Sequence, residues 1–176
     1  MKTILLLGSN RGDKLSIIEQ ASQMVSDLST GEIILSPLYK SEPWGFNADE
    51  WFLNRAVFID TEMGPEELLE KILSIEKILG RVRGEECRKN QMGEEECGAE
   101  REYSSREIDI DIIFYGSLVC KSEKLTLPHP RMHLRRFVLE PVAQIAPDFI
   151  HPGLGITVEQ LLSECEDNSI VTKMVM

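Results

Sequence analysis

The sequence predicts an α+β fold, a ferredoxin-like βαββαβ sandwich whose mainly antiparallel sheet carries packed helices, with extra C-terminal helices. Three observations lead to this class: short apolar or alternating runs typical of strands, longer runs with helical spacing, and the order β-α-β-β-α-β in which they follow one another. A chain of 176 residues with 42% hydrophobic and 28% charged residues can bury one sizeable core. We therefore expect residues 1–176 to form a single domain.

Composition and charge exclude several classes of protein. A net charge of −11 argues against nucleic acid as a main partner. No apolar run approaches the roughly 18 residues of a membrane span, and Met1 leads straight into a strand without a signal peptide. We expect a cytoplasmic monomer with no membrane contact. Four cysteines without C-x-x-C spacing favour free thiols over a zinc site or a disulfide framework.

The first third of the chain predicts three strands and a helix. Gly8 opens a turn that leads into the helix, and Leu15 after Lys14 excludes a Walker A phosphate loop. Pro37 implies that the second strand lies at an edge or contains a bulge. The strands are expected at residues 3–7, 31–40 and 52–62, and the helix at residues 13–28.

A second helix is expected over residues 65–79, because it begins with a proline and is followed by a glycine. Glu76 lies in the middle of its apolar stripe, where a carboxylate must find a cation or shift its pKa. Arg81 and Arg83 lie just beyond the helix end. Glu76 therefore forms either a structural ion pair or a contact that holds a phosphate-binding arginine in place.

The segment over residues 84–105 has almost no aliphatic residues and contains two similar acidic stretches, which end in Cys87 and Cys97. It is too polar to pack and too long for a simple connection, so we expect a long mobile loop. Pairing of the two cysteines, or a metal site formed by them, is an open alternative.

The functional prediction depends on the strand expected over residues 106–114. Isoleucines alternate there with Glu107, Asp109 and Asp111, so the acids share one face. Asp109 and Asp111 then lie roughly 6.6 Å apart, and their like charges repel unless a cation lies between them. Carboxylate oxygens on a rigid strand suit Mg²⁺, which also binds substrate phosphates. The alternative is a strand with one solvated polar face.

Positive charge is concentrated near the elements that flank the acid pair. An acidic protein with cations gathered in a few loops is suited to a small phosphate-bearing substrate, whereas the alternative is a scattered basic surface. The residues concerned are Arg81, Arg83, Arg106, Lys124, His129, Arg131, His133, Arg135 and Arg136.

The C-terminal third predicts further helices. His129 lies between two prolines, which hold it in an extended backbone that suits either a ligand contact or a cap. A helix is expected over residues 135–145, kinked or broken near Pro141. A capping-box pattern from Thr157 opens a last short helix. The tail from Asp167 is expected to be weakly ordered or to add an edge strand.

Several segments together resemble one family, the 6-hydroxymethyl-7,8-dihydropterin pyrophosphokinases of folate synthesis. The most specific feature is the combination of Arg-x-Ile-Asp-Ile-Asp at residues 106–111 with Pro-His-Pro-Arg-Met at residues 128–132. The matching segments follow the family's order and cover most of the chain to about residue 150: residues 7–10, 39–43, 52–54, 75–76, 80–83, 106–111, 127–132 and 135–137.

This resemblance implies transfer of the pyrophosphoryl unit of ATP to the pterin's hydroxymethyl oxygen, with release of AMP. It also implies that Asp109 and Asp111 hold two Mg²⁺ ions that bridge the triphosphate, as in other two-metal displacements. Asp109 is further expected to help deprotonate the hydroxyl. The implied catalytic residues are Asp109, Asp111, Arg81, Arg83, Arg106 and His129, and the implied nucleotide-binding residues are Glu76, Lys124, Thr126, His129 and Arg135.

A pterin is a flat ring with an amide edge, so its site needs stacking faces and a hydrogen-bonding side chain. Asn54 is expected to bind the amide edge, because asparagine offers both a donor and an acceptor. The pterin-binding residues that the resemblance implies are Ser41, Trp44, Phe52, Asn54, Tyr103 and Phe137.

The sequence departs from the family before the acid-bearing strand. Tyr103-Ser104-Ser105 stands where Trp-Gly-Pro is common, Gly84 replaces a basic residue, and the 84–105 segment is longer than usual. Because no synthase or aldolase domain follows, a monofunctional enzyme is expected. The alternatives are a different Mg²⁺-dependent phosphohydrolase and a non-catalytic ligand sensor.

Overall fold

The computed structural model describes residues 1–43, 50–80 and 107–175. The strands are β1 (Lys2–Ser9), β2 (Ile33–Leu35), β3 (Tyr39–Ser41), β4 (Phe52–Asp60), β5 (Asp109–Tyr115), β6 (Cys120–Lys121), β7 (Thr126–Leu127) and β8 (Val171–Lys173). The α-helices are α1 (Lys14–Ser26), α2 (Pro65–Ile78), α3 (Arg136–Ile145) and α4 (Val158–Glu164), and a 3₁₀ turn covers Met132–Leu134.

The main sheet has the strand order β5-β1-β4-β3-β8, with β2 paired to β4 beside β3. Every pairing between its described strands is antiparallel. The α+β class with helices packed on an antiparallel sheet is therefore confirmed. Strands β6 and β7 form a separate two-stranded sheet.

The single strand predicted over residues 31–40 is two strands, because the chain leaves regular pairing at Ser36 and Pro37. Proline cannot donate to a ladder, which is why the interruption occurs there. Ser36 keeps the chain close to β4: its N–H donates to the Ala56 carbonyl at 2.9 Å, and its hydroxyl accepts from the Ala56 N–H at 2.9 Å.

Helices cover both faces of the sheet. On one face, α1 and α2 pack against Leu5, Leu7 and Val57 to form a first core. On the other, α3 and α4 pack against Leu6 and Phe58 to form a second core. Alternate residues of β1 thus enter opposite cores, as a strand buried on both faces requires.

Strand β5 contains a bulge at Ile113. The register with β1 runs from Gly8↔Asp109 to Leu5↔Ile112 and then moves to Ile4↔Phe114. Strict alternation therefore holds through the acids, as predicted, and ends at the bulge, so that Ile113 and Phe114 both enter the second core.

Several C-terminal predictions have definite outcomes. Helix α3 continues through Pro141 and does not break there. The capping box is confirmed: the Thr157 hydroxyl accepts from the Gln160 N–H at 3.2 Å, and the Gln160 side chain accepts from the Thr157 N–H at 2.9 Å. The tail adds β8 as an edge strand on β3, one of the two outcomes expected.

Two further observations concern membrane-spanning helices and the cysteines. Within residues 1–43, 50–80 and 107–175, no helix has the length and apolar character that crossing a bilayer requires. Cys120 and Cys165 are free thiols, as predicted, whereas Cys87 and Cys97 lie outside the described residues.

Candidate active site

One row of residues crosses the sheet at the ends of β1 and β5. Gly8 pairs with Asp109 on one side and with Asn54 on the other, and Asn54 pairs in turn with Tyr39. Directly opposed residues of antiparallel strands face the same way. We call the surface that contains this row the acid face, after Asp109 and Asp111.

Gly8 leaves this row without a side chain between Asn54 and Asp109. With strands roughly 4.8 Å apart, the Cα atoms of Asn54 and Asp109 are separated by about 10 Å. A Cβ at Gly8 would lie 3.2 Å from the Asn54 Oδ1, so even a methyl group would crowd the amide. The prediction that Gly8 opens a turn is wrong: it lies inside β1, and the chain turns only after Ser9.

Asp111 lies one row further along the acid face, opposite Leu6. Leu6 and Ala56, its partner on β4, belong to the second core. Asp111 therefore lies at the edge of the region of the sheet on which α3 and α4 pack. Both acids are half-buried. Residues two apart on a strand are separated by about 6.6 Å, which places the carboxylates side by side.

Glu76 contacts the acid-bearing strand from the opposite side. Its side chain is 1% exposed, and its Oε1 accepts a hydrogen bond of 2.9 Å from the N–H of Ile110, the residue between the two acids. This bond supports β5 at the point where its backbone carries the acids. The predicted partners Arg81 and Arg83 lie outside the described residues.

Three of the predicted pterin-binding residues lie together at the β3–β4 end of the acid face. Ser41 pairs with Phe52, two residues before Asn54 on the same face of β4. The Asn54 Nδ2 donates to the Ser41 hydroxyl at 2.8 Å, and both residues are buried. The hydrogen bond fixes the amide so that its oxygen is directed towards Gly8.

The start of α3 supplies a buried cation. Helix α3 packs on the acid face through the second core, and Arg135 immediately precedes it. Arg135 is 4% exposed, and burial lowers its pKa to about 10, so it is still positively charged at neutral pH. Its guanidinium carbon lies 5.8 Å from the centre of the Phe137 ring, which links a predicted nucleotide residue with a predicted pterin residue.

The remaining described candidates follow β5. Thr126 is half-buried in β7, whereas Lys124 is exposed just before it. His129 is half-buried, and its backbone N–H donates to the carbonyl of the bulge residue Ile113 at 3.0 Å. His129 is thus held beside the strand that carries the acids.

The other predicted site residues lie outside the described part of the chain: Trp44, Arg81, Arg83, Tyr103 and Arg106, together with the 84–105 segment. Among the residues that are described, no group of three or more histidine, cysteine or acidic side chains is arranged to hold a metal ion. On this part of the chain, the candidate donors are the Asp109 and Asp111 carboxylates.

Sequence reasoning missed two residues of this region, Gly8 as the gap in the row and Asp167 beside α3. The signal for Asp167 was indirect: α3 begins after Arg135, which is not a capping residue, so its first N–H groups need a partner from elsewhere. For Gly8 the signal was its place directly after the apolar run of β1, which allows the strand to continue through it.

The fold and the acid face together define a class, an α+β protein whose antiparallel sheet carries paired acids, a fixed amide and a nearby buried arginine. Comparison with known proteins then gives the family. A model described as 7,8-dihydro-6-hydroxymethylpterin-pyrophosphokinase matches residues 4–147. The chain belongs to this family, and its activity is pyrophosphoryl transfer to hydroxymethyldihydropterin in folate synthesis.

Curated relatives agree with this assignment. The 2-amino-4-hydroxy-6-hydroxymethyldihydropteridine pyrophosphokinase of Methylorubrum extorquens is 38% identical over 96% of this chain and 96% of its own. The enzyme of the same name from Haemophilus influenzae is 32% identical, over 95% of this chain and 94% of its own. A folic acid synthesis protein of Pneumocystis carinii is 33% identical over 93% of this chain, which spans only 20% of that protein.

Solved structures support the fold alone, because their sequences are distant. A Plasmodium falciparum HPPK-DHPS crystal structure superposes with a TM-score of 0.66 at 15% identity over 93% of this chain. This chain spans 44% of that larger chain.

Proposed function

We propose that this pyrophosphokinase takes the pyrophosphoryl group from ATP and transfers it to the hydroxymethyl oxygen of 6-hydroxymethyl-7,8-dihydropterin, releasing AMP. One observation carries the placement of the reaction: the row Asp109–Gly8–Asn54. An acid and a fixed amide lie at the two ends of a gap about 10 Å across. A two-ring heterocycle with its amide edge at Asn54 then directs its hydroxymethyl group towards Asp109.

The donor set at this end of the sheet fits Mg²⁺. Asp109 and Asp111 offer hard oxygen ligands on one rigid strand. Mg²⁺ usually keeps several waters and completes its shell with substrate phosphates, so two carboxylates from the protein suit it. We propose that the two carboxylates hold two Mg²⁺ ions, which when bound neutralise charge on the triphosphate.

The side chains of the protein bind and orient the two substrates, and one of them accepts a proton. Asp109 lies nearest Gly8 and accepts the proton from the hydroxymethyl oxygen. Arg135 is a buried cation suited to a phosphate, and His129 lies beside β5 within the same region. Lys124 and Thr126 assist at the nucleotide, and Glu76 acts indirectly, by supporting β5 through Ile110.

The pterin is held at the other end of the row. Asn54 binds the amide edge, and its bond to Ser41 fixes which amide atoms face the ring. Phe52 and Phe137 provide stacking faces. The proposed roles of Trp44 and Tyr103 in covering the pterin, and of Arg81, Arg83 and Arg106 in neutralising phosphate charge, rest on the sequence resemblance.

The proposal also covers the topology of the fold and the setting in which the enzyme acts. If β2 and β3 count as one interrupted strand, the order β5-β1-β4-β3 corresponds to the order 4-1-3-2 of a ferredoxin-like sheet, which supports that topology. We further propose a cytoplasmic monomer that acts on small molecules without nucleic acid or membrane partners.

The proposal is tested by incubating the protein with Mg-ATP, with and without the hydroxymethyl-dihydropterin, and measuring AMP. We expect AMP and the pterin diphosphate in equal amounts, and only when the pterin is present. Equal AMP release without the pterin would identify a hydrolase, and ligand binding without AMP a sensor. Either result rejects the proposal.

The same assay tests the metal role of the acids. Asp111→Asn should lower kcat/KM by roughly a hundredfold or more, because several kcal/mol of charge stabilisation are lost and each 1.36 kcal/mol is tenfold in rate. The variant should remain folded, because asparagine has nearly the same size and shape as aspartate, and circular dichroism measures this. Asp148→Asn, the same change at an exposed position, is the control and should keep full activity.

A further inference from the structure

The C-terminal segment Asp167–Met174 touches two of the elements that carry proposed substrate residues. These are the start of α3, with Arg135 and Phe137, and β3, with Ser41. The match to the family model covers residues 4–147 and ends before this segment. Its contacts are polar and directional, and they fall into three groups.

The first group is a cap for α3 supplied from far along the chain. Arg135 occupies the N-cap position and makes no side-chain capping bond. In its place, Asp167 Oδ2 accepts from the Arg136 N–H at 2.8 Å, and Asp167 Oδ1 accepts from the Ser169 N–H at 3.0 Å. A helix start without a cap frays, so Asp167 fixes the turn that aims Arg135 and Phe137.

Electrostatics favour the same arrangement. Burial alone would raise the pKa of Asp167, but hydrogen bonds from the Arg136 and Ser169 N–H groups outweigh burial and lower it. The carboxylate is therefore held in its charged form, and a negative charge at a helix N-terminus is stabilising.

The second group of contacts joins the segment to β3. Ser41 pairs with Val171 across the β3–β8 ladder. Just before β8, the Ile170 carbonyl accepts from the Glu42 N–H at 3.2 Å, while the Ile170 N–H donates to Glu42 Oε2 at 3.0 Å. β3 thus gains a neighbour on the side away from β4, beside the residue that hydrogen-bonds Asn54.

A third link closes the connection between the two elements. Lys173 Nζ donates to Gln144 Oε1 at 2.9 Å, and the Tyr39 hydroxyl contacts the same oxygen at 3.5 Å. Gln144 lies on α3, and Tyr39 on β3. The C-terminal segment therefore spans from the start of α3 to β3 and back to α3.

The segment contributes little apolar burial. Ile170 and Met174 are 53% and 36% exposed, and Val171 is only half-buried. A segment that served mainly the core would bury such side chains. Its hydrogen bonds have defined geometry, and they are suited to holding α3 and β3 at fixed positions relative to each other.

We propose that Asp167–Met174 is a positioning segment for catalysis. Asp167 fixes the start of α3, and β8 fixes β3. The residues proposed for the nucleotide and those proposed for the pterin are thereby held at fixed positions relative to one another. This proposal rests on the proposed function, because it uses the roles given there to Arg135, Phe137 and Ser41. Asp167 is a positioning residue, since it acts through the helix start and does not touch substrate.

The test compares Asp167→Ala and Asp167→Asn with Glu166→Ala, a matched change at the exposed neighbouring acid. Asp167→Ala should raise KM for both ATP and the pterin by about fivefold, equivalent to roughly 1 kcal/mol, with kcat within about twofold of wild type. Asp167→Asn keeps an acceptor for the Arg136 N–H and should recover most of the wild-type KM values. If Asp167→Ala matches Glu166→Ala in both KM values, the proposal is overturned.

A second measurement on the wild-type chain covers the case in which Asp167→Ala fails to fold. Amide hydrogen exchange is followed at Arg136 and over β8, with and without the pterin and a non-hydrolysable ATP analogue. Because coupling is reciprocal, both ligands together should slow exchange at these amides, which belong to the Asp167 cap and to the strand paired with β3. Unchanged exchange rates would overturn the proposal. Failure of the proposed function has a different signature, since wild-type protein would then release no pterin-dependent AMP.

Discussion

Gly8 determines the shape of the acid face because it contributes no side chain. Asp109 on β5 and Asn54 on β4 both pair with it, so their side chains face the same way with only backbone between them. The acid pair was predictable from sequence, since alternation along one strand is a local property. The gap at Gly8 was not, because it depends on which residues of three distant strands come to lie opposite one another.

At this scale we predict the effect of Gly8→Ala. The added Cβ would lie 3.2 Å from the Asn54 Oδ1 and would occupy part of the gap proposed for the pterin. KM for the pterin should rise by about fivefold or more, roughly 1 kcal/mol of binding, while KM for ATP changes little. Steady-state kinetics with each substrate varied in turn measures both constants.

Gly64→Ala is the control, because a Cβ at that position meets nothing within 4 Å. It should leave both KM values unchanged. An unaltered pterin KM in a folded Gly8→Ala protein would show that the ring does not lie over Gly8, whatever the metal site does.

At the scale of elements, α2 supports the acid-bearing strand β5 through the hydrogen bond between Glu76 and the Ile110 N–H. The helix was predictable from its spacing, its proline start and the glycine after its end, and Glu76 stood out as an acid in an apolar stripe. An arginine contact of Glu76, as an ion pair or as a support for a phosphate-binding arginine, stays a prediction, because Arg81 and Arg83 lie outside the described residues. The structure adds a contact that the sequence did not predict, the Ile110 N–H, because a strand edge offers donors that no sequence pattern reveals.

This connection predicts a difference between two substitutions of Glu76. Glu76→Ala leaves the buried Ile110 N–H without its acceptor, which should cost about 1–3 kcal/mol of unfolding free energy. It should also lower kcat, since the acids flank Ile110 on β5. Glu76→Gln retains an oxygen acceptor and should be affected less in both respects.

Thermal denaturation and the AMP assay measure the two effects. Glu70→Ala, an exposed position on the same helix, controls for the change in charge and helix propensity. Equal melting temperatures for Glu76→Ala and Glu70→Ala would contradict a supporting role for Glu76.

Over the whole molecule, the sheet separates two cores, and the proposed site lies on the acid face where the second core ends. The row of Ala56, Leu6 and Asp111 still belongs partly to that core, whereas the next row holds Asn54, Gly8 and Asp109. The α+β class followed from element order alone. That α3 and α4 take the face opposite α1 and α2 did not, because apolar stripes identify a buried side without saying against which surface it packs.

The C-terminal part shows the same limit of local patterns. The capping box at Thr157 was visible because its two partners lie three residues apart. The cap on α3 was not, because Asp167 lies 31 residues from the N–H that it accepts. Contacts of this kind depend on the complete fold, and they surround the proposed site on the α3 and β3 sides.

The central claim is that Asp109 and Asp111 hold the metal while the pterin lies over Gly8 between Asn54 and Asp109. Its most direct test is a crystal structure with the hydroxymethyl-dihydropterin, a non-hydrolysable ATP analogue and Mn²⁺ in place of Mg²⁺, with the metal located by anomalous scattering. We predict anomalous peaks in contact with both carboxylates and the pterin amide edge at Asn54. Carboxylates turned away from every cation, or a pterin bound elsewhere, would contradict it.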